Sequence, residues 1–323
     1  MATLLTPDVK AQHYSGNPIL AGYHADPDIV YSPETQRYYI YSTTDGLPGW
    51  DGWYLTCFSS ADLTRWRYEG VALNVLRDTK WAKGNAWAPA IEEKDGTYYL
   101  YYSGEAGHGK AIGVAMSKSP AGPFKDLGHP IVDSRPQGVR GGQQIDVDVF
   151  TDKDTGKSYL YWGNGYMAGA ELNPDMTSLK EGTTVVLTPK GGTLKDYAYR
   201  EGPYVFKRQG TYYFMWSVDD TGSPNYHVAY GTSDSPLGPV HVAENPIVLQ
   251  QDPANGIYGT AHNSVLNVPG TDDWYIVYHR IDKNCLKNAP GVHRQVCIDR
   301  LYFNNDGTIK ATVPTQRGVR SLR

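Results

Sequence analysis

The amino-acid sequence predicts an all-β chain that folds as a five-bladed β-propeller. A short motif recurs five times, and each copy places a polar or aromatic residue in a small apolar run ahead of a turn and a Tyr-rich run. The copies begin near residues 24, 85, 144, 200 and 260, so a repeat of about 60 residues fills most of the 323-residue chain. β-rich repeats of this length are typical of propeller blades.

The composition agrees with many short strands joined by tight turns. The chain contains 26 Tyr and 8 Trp, which favour pleated sheets, together with 35 Gly and 21 Pro, which favour turns. No window has the periodicity of a long amphipathic helix, so an alternating βαβ fold is a poor match. We therefore predict one propeller domain over residues 1–323, with no C-terminal β-sandwich after it.

Each repeat is expected to supply one four-stranded blade. Its first run alternates around small residues and predicts the innermost strand, and a turn containing Gly or Asp leads to the aromatic second strand. A third strand, clearest at residues 112–117, is followed by a short outer strand. Residues 299–313 are expected to form the terminal hairpin, and residues 18–20 to lie beside it and close the ring.

Charge and hydropathy exclude several classes of partner. Acidic and basic residues are interspersed and give a net charge of −4, so neither a basic face for nucleic acid nor a membrane span is predicted. Residues 1–12 lack the features of a signal peptide, as expected for a cytoplasmic protein or for a secreted one whose signal has been removed. Cys285 and Cys297 flank a loop and would pair only in an oxidising environment.

Matched positions of the repeat are expected to converge on the propeller axis. They hold Asp26, Trp87, Asp146, Glu201 and His262, at steps of 61, 59, 55 and 61 residues. Three carboxylates aimed at one point repel one another, so at least one pKa should rise while others stay ionised. Glycoside hydrolysis needs such a pair, because one protonated acid donates to the leaving oxygen and an opposite carboxylate activates water or attacks. Acids on different sides of a channel suit the wider spacing, which leads to inversion.

The sequence resembles glycoside hydrolase family 43, a group of five-bladed propellers that includes β-xylosidases, α-L-arabinofuranosidases and arabinanases. The resemblance spans essentially the whole chain and keeps the order and spacing of its motifs. These motifs are NPIL at 17–20, HADPDI at 24–29, Ile145-Asp146 with Phe150 and Asp152, REGP at 200–203, GTAHNS at 259–264 and YHR at 278–280.

The resemblance implies a role for each axial acid. Asp26 would be the general base that activates water, and Glu201 the general acid. Asp146 would raise the pKa of Glu201 and orient it. Many relatives carry Pro and Ser where this chain has Val147 and Asp148. Asp148 shares a strand face with Asp146 and is the alternative for this work, for which we favour Asp146.

Two further polar residues have alternative interpretations. His262 is either a satisfied polar residue or, as the resemblance implies, a neighbour of a structural calcium or a water cluster in the central channel. One imidazole would be atypical for Ca²⁺, which prefers oxygen ligands. Arg280 is expected either to neutralise the acids, to bind substrate hydroxyls, or to form a plain ion pair.

Aromatic residues are expected to shape the pocket. Trp87 is either a packed core residue or, as we prefer, a stacking wall for the terminal sugar. Trp50 lies in a loop rich in Gly and Trp, residues 45–53, which is expected to rim the pocket and block one side of the channel. Residues 135–142 are a second candidate rim.

These observations predict an inverting, exo-acting glycoside hydrolase that releases terminal α-L-arabinofuranose, β-D-xylose or both from hemicellulose-derived glycans. The chemistry requires no cofactor, and the expected partner is an oligosaccharide or polysaccharide. The alternatives are an endo-arabinanase-type member of the same family and a non-catalytic sugar-binding propeller, although a lectin would repeat the same residues in every blade. A retaining fructosidase is disfavoured because residues 24–28 lack the Asn residues of that group.

Overall fold

The computed structural model describes residues 13–322 as five antiparallel sheets of four strands each, which confirms the five-bladed propeller. Strands within each sheet follow chain order, and the innermost strand of every blade contacts those of its two neighbours. Among residues 13–322 there is no helix long and apolar enough to cross a membrane. Residues 1–12, for which the sequence predicts no signal peptide, and Arg323 lie outside the described residues.

The strands of the five blades have the following bounds. Blade one has β1 (His24–Ser32), β2 (Arg37–Thr44), β3 (Tyr54–Ser60) and β4 (Arg67–Asn74). Blade two has β5 (Trp87–Lys94), β6 (Thr97–Glu105), β7 (Lys110–Ser117) and β8 (Lys125–Asp126). Blade three has β9 (Asp148–Thr151), β10 (Ser158–Trp162), β11 (Ala168–Glu171) and β12 (Val185–Val186). Blade four has β13 (Glu201–Arg208), β14 (Thr211–Val218), β15 (His227–Ser233) and β16 (His241–Leu249).

Blade five has β17 (Tyr258–Asn267), β18 (Trp274–Ile281), β19 (Arg294–Phe303) and β20 (Ile309–Lys310). Helical structure among the described residues is limited to short turns. They are α1 (Val75–Asp78) and three 3₁₀ helices at Pro253–Asn255, Lys283–Cys285 and Pro290–Val292.

The core is divided into five hydrophobic clusters, one between each pair of adjacent blades. Each large apolar side chain buried there contributes about 1.5–3 kcal/mol. Tyrosines of the second strands also cross between blades, because their hydroxyls donate to carbonyls in the outer turns of the next blade. Three such pairs are Tyr101 with Met176 (2.7 Å), Tyr161 with Pro236 (2.8 Å) and Tyr213 with Gly307 (2.6 Å). The Tyr-rich second strands therefore serve packing.

The ring closes where the start of the described chain lies beside the terminal hairpin, as predicted. The Ile19 N–H donates to the Val296 carbonyl (2.8 Å). The Asn17 side chain accepts from the Ile298 N–H (2.9 Å) and donates to the Ile298 carbonyl (3.1 Å). All three cysteines are free thiols, so the alternative of a Cys285–Cys297 disulfide is not realised.

Every innermost segment carries one residue with a positive φ at the same place in the repeat. These residues are Asp26 (50°), Ala88 (43°), Asp146 (60°), Gly202 (60°) and His262 (49°). In four of the blades the strand pairing slips at this point, as at a β-bulge. The sequence-based alignment was therefore wrong by one residue in two blades, because Trp87 and Glu201 precede the bulge.

The bulge residue of each blade is tied to the preceding blade. In four blades its N–H donates to a side chain of the preceding second strand. The four pairs are Ala88 to Thr43 Oγ1 (2.8 Å), Asp146 to Ser103 Oγ (3.0 Å), His262 to Ser217 Oγ (3.0 Å) and Asp26 to His279 Nδ1 (3.1 Å). Neighbouring blades are thereby fixed next to the axis.

Two buried aspartates deeper in the ring join neighbouring innermost strands. Asp28 Oδ2 accepts from the Ile91 N–H (2.7 Å), and Asp148 Oδ2 accepts from the Val205 N–H (2.7 Å). Asp148 thus holds blade three against blade four and leaves Asp146 as the candidate partner of Glu201. Burial raises the pKa of Asp28 to about 7, although its backbone hydrogen bonds act against this.

We predict that Asp28→Ala lowers the free energy of unfolding by about 2 kcal/mol, because the buried Ile91 N–H loses its acceptor. Asp28→Asn keeps an acceptor and removes the charge. Since a raised pKa makes wild-type stability fall as pH rises from about 4 to 7, Asp28→Asn should match wild type at pH 4 and exceed it above pH 7. Urea denaturation at several pH values measures this, and a parallel pH dependence in both proteins would contradict it.

Candidate active site

The fold brings four of the predicted axial residues to one mouth of the channel. Asp26, Asp146 and Glu201 are buried, with 5%, 5% and 8% of their surface exposed. The charges of Asp26 and Glu201 both act on Asp146, and His262 lies against Asp26. The sequence-based expectation that these side chains share one site is therefore met.

Asp26 is held by basic groups on one oxygen and by a hydroxyl on the other. Its Oδ1 lies 2.9 Å from Arg294 Nη1 and 3.2 Å from Nδ1 of both His262 and His279. Its Oδ2 accepts from Thr43 Oγ1 at 2.7 Å. Burial alone would raise the pKa of Asp26, but Arg294 and the two histidines outweigh burial and bring it well below the usual value. Asp26 is therefore an ionised carboxylate at neutral pH.

Arg294 is a site residue that the sequence-based reasoning missed. It begins β19, outside the repeated motif, and only 4% of its side chain is exposed. Its guanidinium binds Asp45 through two hydrogen bonds, of 2.7 and 2.8 Å, while a third reaches Asp26. Such a two-pronged bond is the geometry in which Arg holds carboxylates most firmly. Arg294 thus fixes the position and the charge of Asp26.

Asp146 and Glu201 form the opposite side of the site. Glu201 Oε1 accepts from the Tyr226 hydroxyl (2.8 Å), and Oε2 accepts from Asn164 Nδ2 (2.5 Å). Burial, followed by the charges of Glu201 and Asp26, raises the pKa of Asp146 well above its usual value. The raised pKa falls on Asp146, whereas the sequence-based expectation placed it on Glu201. Asp146 therefore keeps its proton to a higher pH than an ordinary aspartate does.

Tyr226 and His279 connect the two sides, and neither was predicted. The Tyr226 ring stacks on the His279 ring with centroids 5.6 Å apart, while its hydroxyl donates to Glu201. Burial lowers the pKa of His279 to about 3, against the opposing effect of Asp26. His279 is therefore neutral and accepts the Asp26 N–H on Nδ1.

The predicted aromatic residues lie together at the rim. Trp50 is 46% exposed, and its ring meets that of Trp87 edge-on at 6.2 Å. The Trp50 carbonyl accepts from Asn85 Nδ2 (2.7 Å) and Trp87 Nε1 (3.2 Å). The Arg294 guanidinium lies 5.7 Å from the Trp50 ring, and the Lys110 ammonium lies 4.5 Å from the Trp87 ring. Trp50 thus borders the Asp26 side, at a fixed position.

Arg280 does not join the acid cluster, and this expectation was wrong. Its guanidinium donates to Gln316 (2.7 Å), the Asn17 carbonyl (3.1 Å) and Gln295 (3.3 Å). No carboxylate of residues 13–322 lies within 4 Å of it, so the alternative of a plain ion pair also fails. Successive residues of a strand face opposite sides, so Arg280 points away from the acids while His279 faces Asp26. Arg280 instead helps to close the ring.

The site residues do not form a metal centre by themselves. His262 directs Nδ1 at Asp26, and Ca²⁺ prefers a shell of oxygen ligands. Across the described part of the chain, no group of three or more His, Cys, Asp or Glu side chains is placed to hold an ion.

The arrangement is suited to acid–base chemistry on a bond held between its two sides. Asp26 supplies an ionised carboxylate, and Asp146 supplies a carboxyl group whose pKa is raised. Both are shielded from bulk water, which strengthens their electrostatic effects on a bound molecule.

Comparisons with known proteins agree with this chemistry. The family model of glycosyl hydrolases family 43 matches residues 15–309. A beta-D-galactofuranosidase of Aspergillus niger is 38% identical over 94% of this chain and 87% of its own length. A xylosidase/arabinosidase of Thermoclostridium stercorarium is 29% identical over 94% of this chain and 67% of its own.

Among solved structures, that of a thermostable family-43 glycoside hydrolase superimposes with a TM-score of 0.82 at 29% identity. It covers 95% of this chain and 99% of the other. Because the family model matches more than half of the sequence, the chain belongs to glycosyl hydrolases family 43.

Proposed function

We propose that this protein is an inverting, exo-acting glycosidase that releases terminal α-L-arabinofuranose or β-D-xylose from hemicellulose-derived glycans. One observation carries the proposal: an ionised carboxylate, Asp26, shares a buried site with two further carboxyl groups, Asp146 and Glu201, of which Asp146 has a raised pKa. A glycosidic bond between them would meet a base on one side and an acid on the other, as hydrolysis with inversion requires.

Asp26 acts as the general base. Its carboxylate accepts a proton from a water molecule on the face of the sugar opposite the leaving group. Arg294 and Thr43 hold both carboxylate oxygens, so the group is positioned before substrate binds. His262 Nδ1 lies 3.2 Å from Oδ1 and helps to fix the orientation of the carboxylate.

Glu201 acts as the general acid and receives its proton from the pair with Asp146. Tyr226 and Asn164 each donate to one oxygen of Glu201 and orient the carboxyl group. Asp146 stores the proton in the empty site, because burial and two neighbouring charges raise its pKa. After the leaving sugar takes the proton, the pair regains one from solvent, and Asp26 releases to solvent the proton that it took from the attacking water.

The rim favours exo action. Trp50, Trp87 and Arg294 pack together on the Asp26 side of the site. A chain could not continue through this side without displacing Trp50, whose carbonyl is held by two hydrogen bonds. Such a closed end suits the end of a glycan better than its middle, and Trp87 offers an aromatic surface for a terminal sugar.

A second candidate substrate is terminal β-D-galactofuranose. The relative from Aspergillus niger bears that activity in its name and is 38% identical. This sugar has the ring configuration of α-L-arabinofuranose with one further exocyclic carbon, so the same acid and base can serve both.

The substrate is tested with nitrophenyl glycosides of α-L-arabinofuranose, β-D-xylose and β-D-galactofuranose. We expect kcat/KM for the better pentoside to exceed that for the galactofuranoside by about tenfold, because the extra exocyclic group must fit at the closed end. Proton NMR of the first-formed sugar should show the inverted anomer. A galactofuranoside preference would favour the second candidate, and hydrolysis of none of the three would contradict both.

Removing either proposed catalytic group should reduce kcat by about 10²- to 10⁴-fold. Glu201→Gln is expected to lose less on nitrophenyl glycosides than on oligosaccharides, because nitrophenolate leaves without full protonation. Asp26→Asn should lose the same factor in kcat on nitrophenyl glycosides and on oligosaccharides. The matched control is Asp28→Asn in the same strand, for which we expect activity within about threefold of wild type. Full activity of Asp26→Asn would overturn the assignment.

The pH dependence of kcat/KM tests the two charge states. In wild type we expect activity to fall as pH rises and the Asp146–Glu201 pair loses its proton, with no acid limb near the usual pKa of aspartate. Arg294→Lys loses the two-pronged bond and should raise the pKa of Asp26, so activity should also fall as pH drops. Arg300→Lys, in the same strand, is the control. If the activity of Arg294→Lys does not fall at low pH, this role of Arg294 is contradicted.

A further inference from the structure

A pocket of about 480 Å³ opens between blades two and three. It is lined by the loop between β6 and β7 and by the segment that leads into the Asp146 bulge. These are connections on the same face of the ring as the acids. Its lining includes Glu105, Lys110, Asp133, Arg135, Gln143 and Gln144.

One wall of the pocket is connected to the proposed acid, Glu201, through the side chain of Asn164. The backbones of Gln143 and Asn164 exchange two hydrogen bonds of 3.0 Å, and Asn164 Nδ2 donates to Glu201. Gly142 allows this approach, because it has a φ of +87° and a Cβ there would lie 2.1 Å from the Asn164 carbonyl oxygen. The wall and the acid are thus held in a fixed relation.

The other wall adjoins Trp87. Lys110 Nζ lies 4.5 Å from the Trp87 ring, forms an ion pair with Glu105 (2.9 Å) and donates to Asn85. Only 15% of the Lys110 side chain is exposed, so its long stem is already ordered. Ordering such a side chain in advance removes an entropic cost of binding a ligand.

The free polar groups of the pocket suit a neutral ligand with many hydroxyls. Arg135 is exposed and donates through Nε to the Gly142 carbonyl (3.0 Å), while its two terminal nitrogens have no acceptor among residues 13–322. The formal charges of the lining balance, because it contains two acidic side chains, Glu105 and Asp133, and two basic ones, Lys110 and Arg135. A pocket with a net charge would select an ion, whereas alternating donors and acceptors match sugar hydroxyls.

We infer that this pocket binds the leaving group: the neutral backbone sugar from which the terminal sugar is released. The inference rests on the proposed role of Glu201, because a general acid stands on the leaving-group side of the bond that it protonates. The opposite side is closed by Trp50 and Arg294, so the pocket beside Asn164 is the direction in which the chain leaves. Arg135 and Gln143 would then determine which backbone sugar of the glycan binds.

Arg135→Ala and Gln143→Ala, combined in one variant, remove exposed side chains and test the pocket. The readout is kcat/KM on nitrophenyl pentosides, which carry no backbone sugar, against xylotriose and arabinotriose. We expect the loss on the trisaccharide to exceed the loss on the nitrophenyl glycoside by about tenfold, as for two lost hydrogen bonds. Arg65→Ala, an exposed arginine of blade one, is the matched control and should change neither value.

Equal losses on both substrates, or no loss on the trisaccharides, would overturn the inference. If wild type hydrolyses neither class of substrate, the proposed function fails and the pocket is judged by binding alone. Calorimetric titration of xylotriose and arabinotriose into wild type and into the double variant then decides. Weaker binding by the variant supports the pocket, whereas equal affinity or no binding by wild type rejects it.

Discussion

The structure depends on one backbone feature that recurs at the axis: a residue of positive φ in every innermost segment, whose N–H needs a partner. Side chains cost about 1–2 kcal/mol in this left-handed region, so it persists only where the surroundings compensate. Here the compensation comes from the preceding blade, through Thr43, Ser103, Ser217 and His279. The same contacts therefore join the blades and aim the axial side chains.

The axial carboxyl groups differ in their tendency to ionise because their neighbours differ. The three acids are similarly buried, so they would have similar protonation states if burial alone acted on them. Arg294 reaches Asp26 directly and keeps it ionised, whereas burial and the like charges of Glu201 and Asp26 raise the pKa of Asp146. One guanidinium thus separates a base from an acid pair, and Asp45 fixes that guanidinium from behind.

The sequence allowed the fold, the blade boundaries and the three axial acids to be predicted, because period and composition are read directly from it. The register inside the repeat was wrong by one residue, since a bulge has no composition of its own. A signal was present: Pro27, Pro89 and Pro203 all follow the bulge, and aligning them places Trp87 and Glu201 one residue earlier. Arg294 and Tyr226 could not be found this way, because tertiary contacts alone bring them to the axis. His279 could have been found, because it matches Thr43, Ser103 and Ser217 in the other second strands.

The third blade explains why the site is asymmetric. Where other second strands carry the side chain that accepts the next bulge N–H, this blade has Gly163, and a Cβ there would lie 2.1 Å from the Tyr166 carbonyl oxygen. No hydroxyl can occupy that position, so the Gly202 N–H acts on the Asp146 carboxylate instead and opposes the rise in its pKa. The repeated hydrogen bond between neighbouring blades is therefore missing between blades three and four, where Asp146 and Glu201 lie. Five residues of positive φ at matched positions supply the geometry. The missing side chain at Gly163 leaves the Gly202 N–H to act on Asp146, the carboxyl group with the raised pKa.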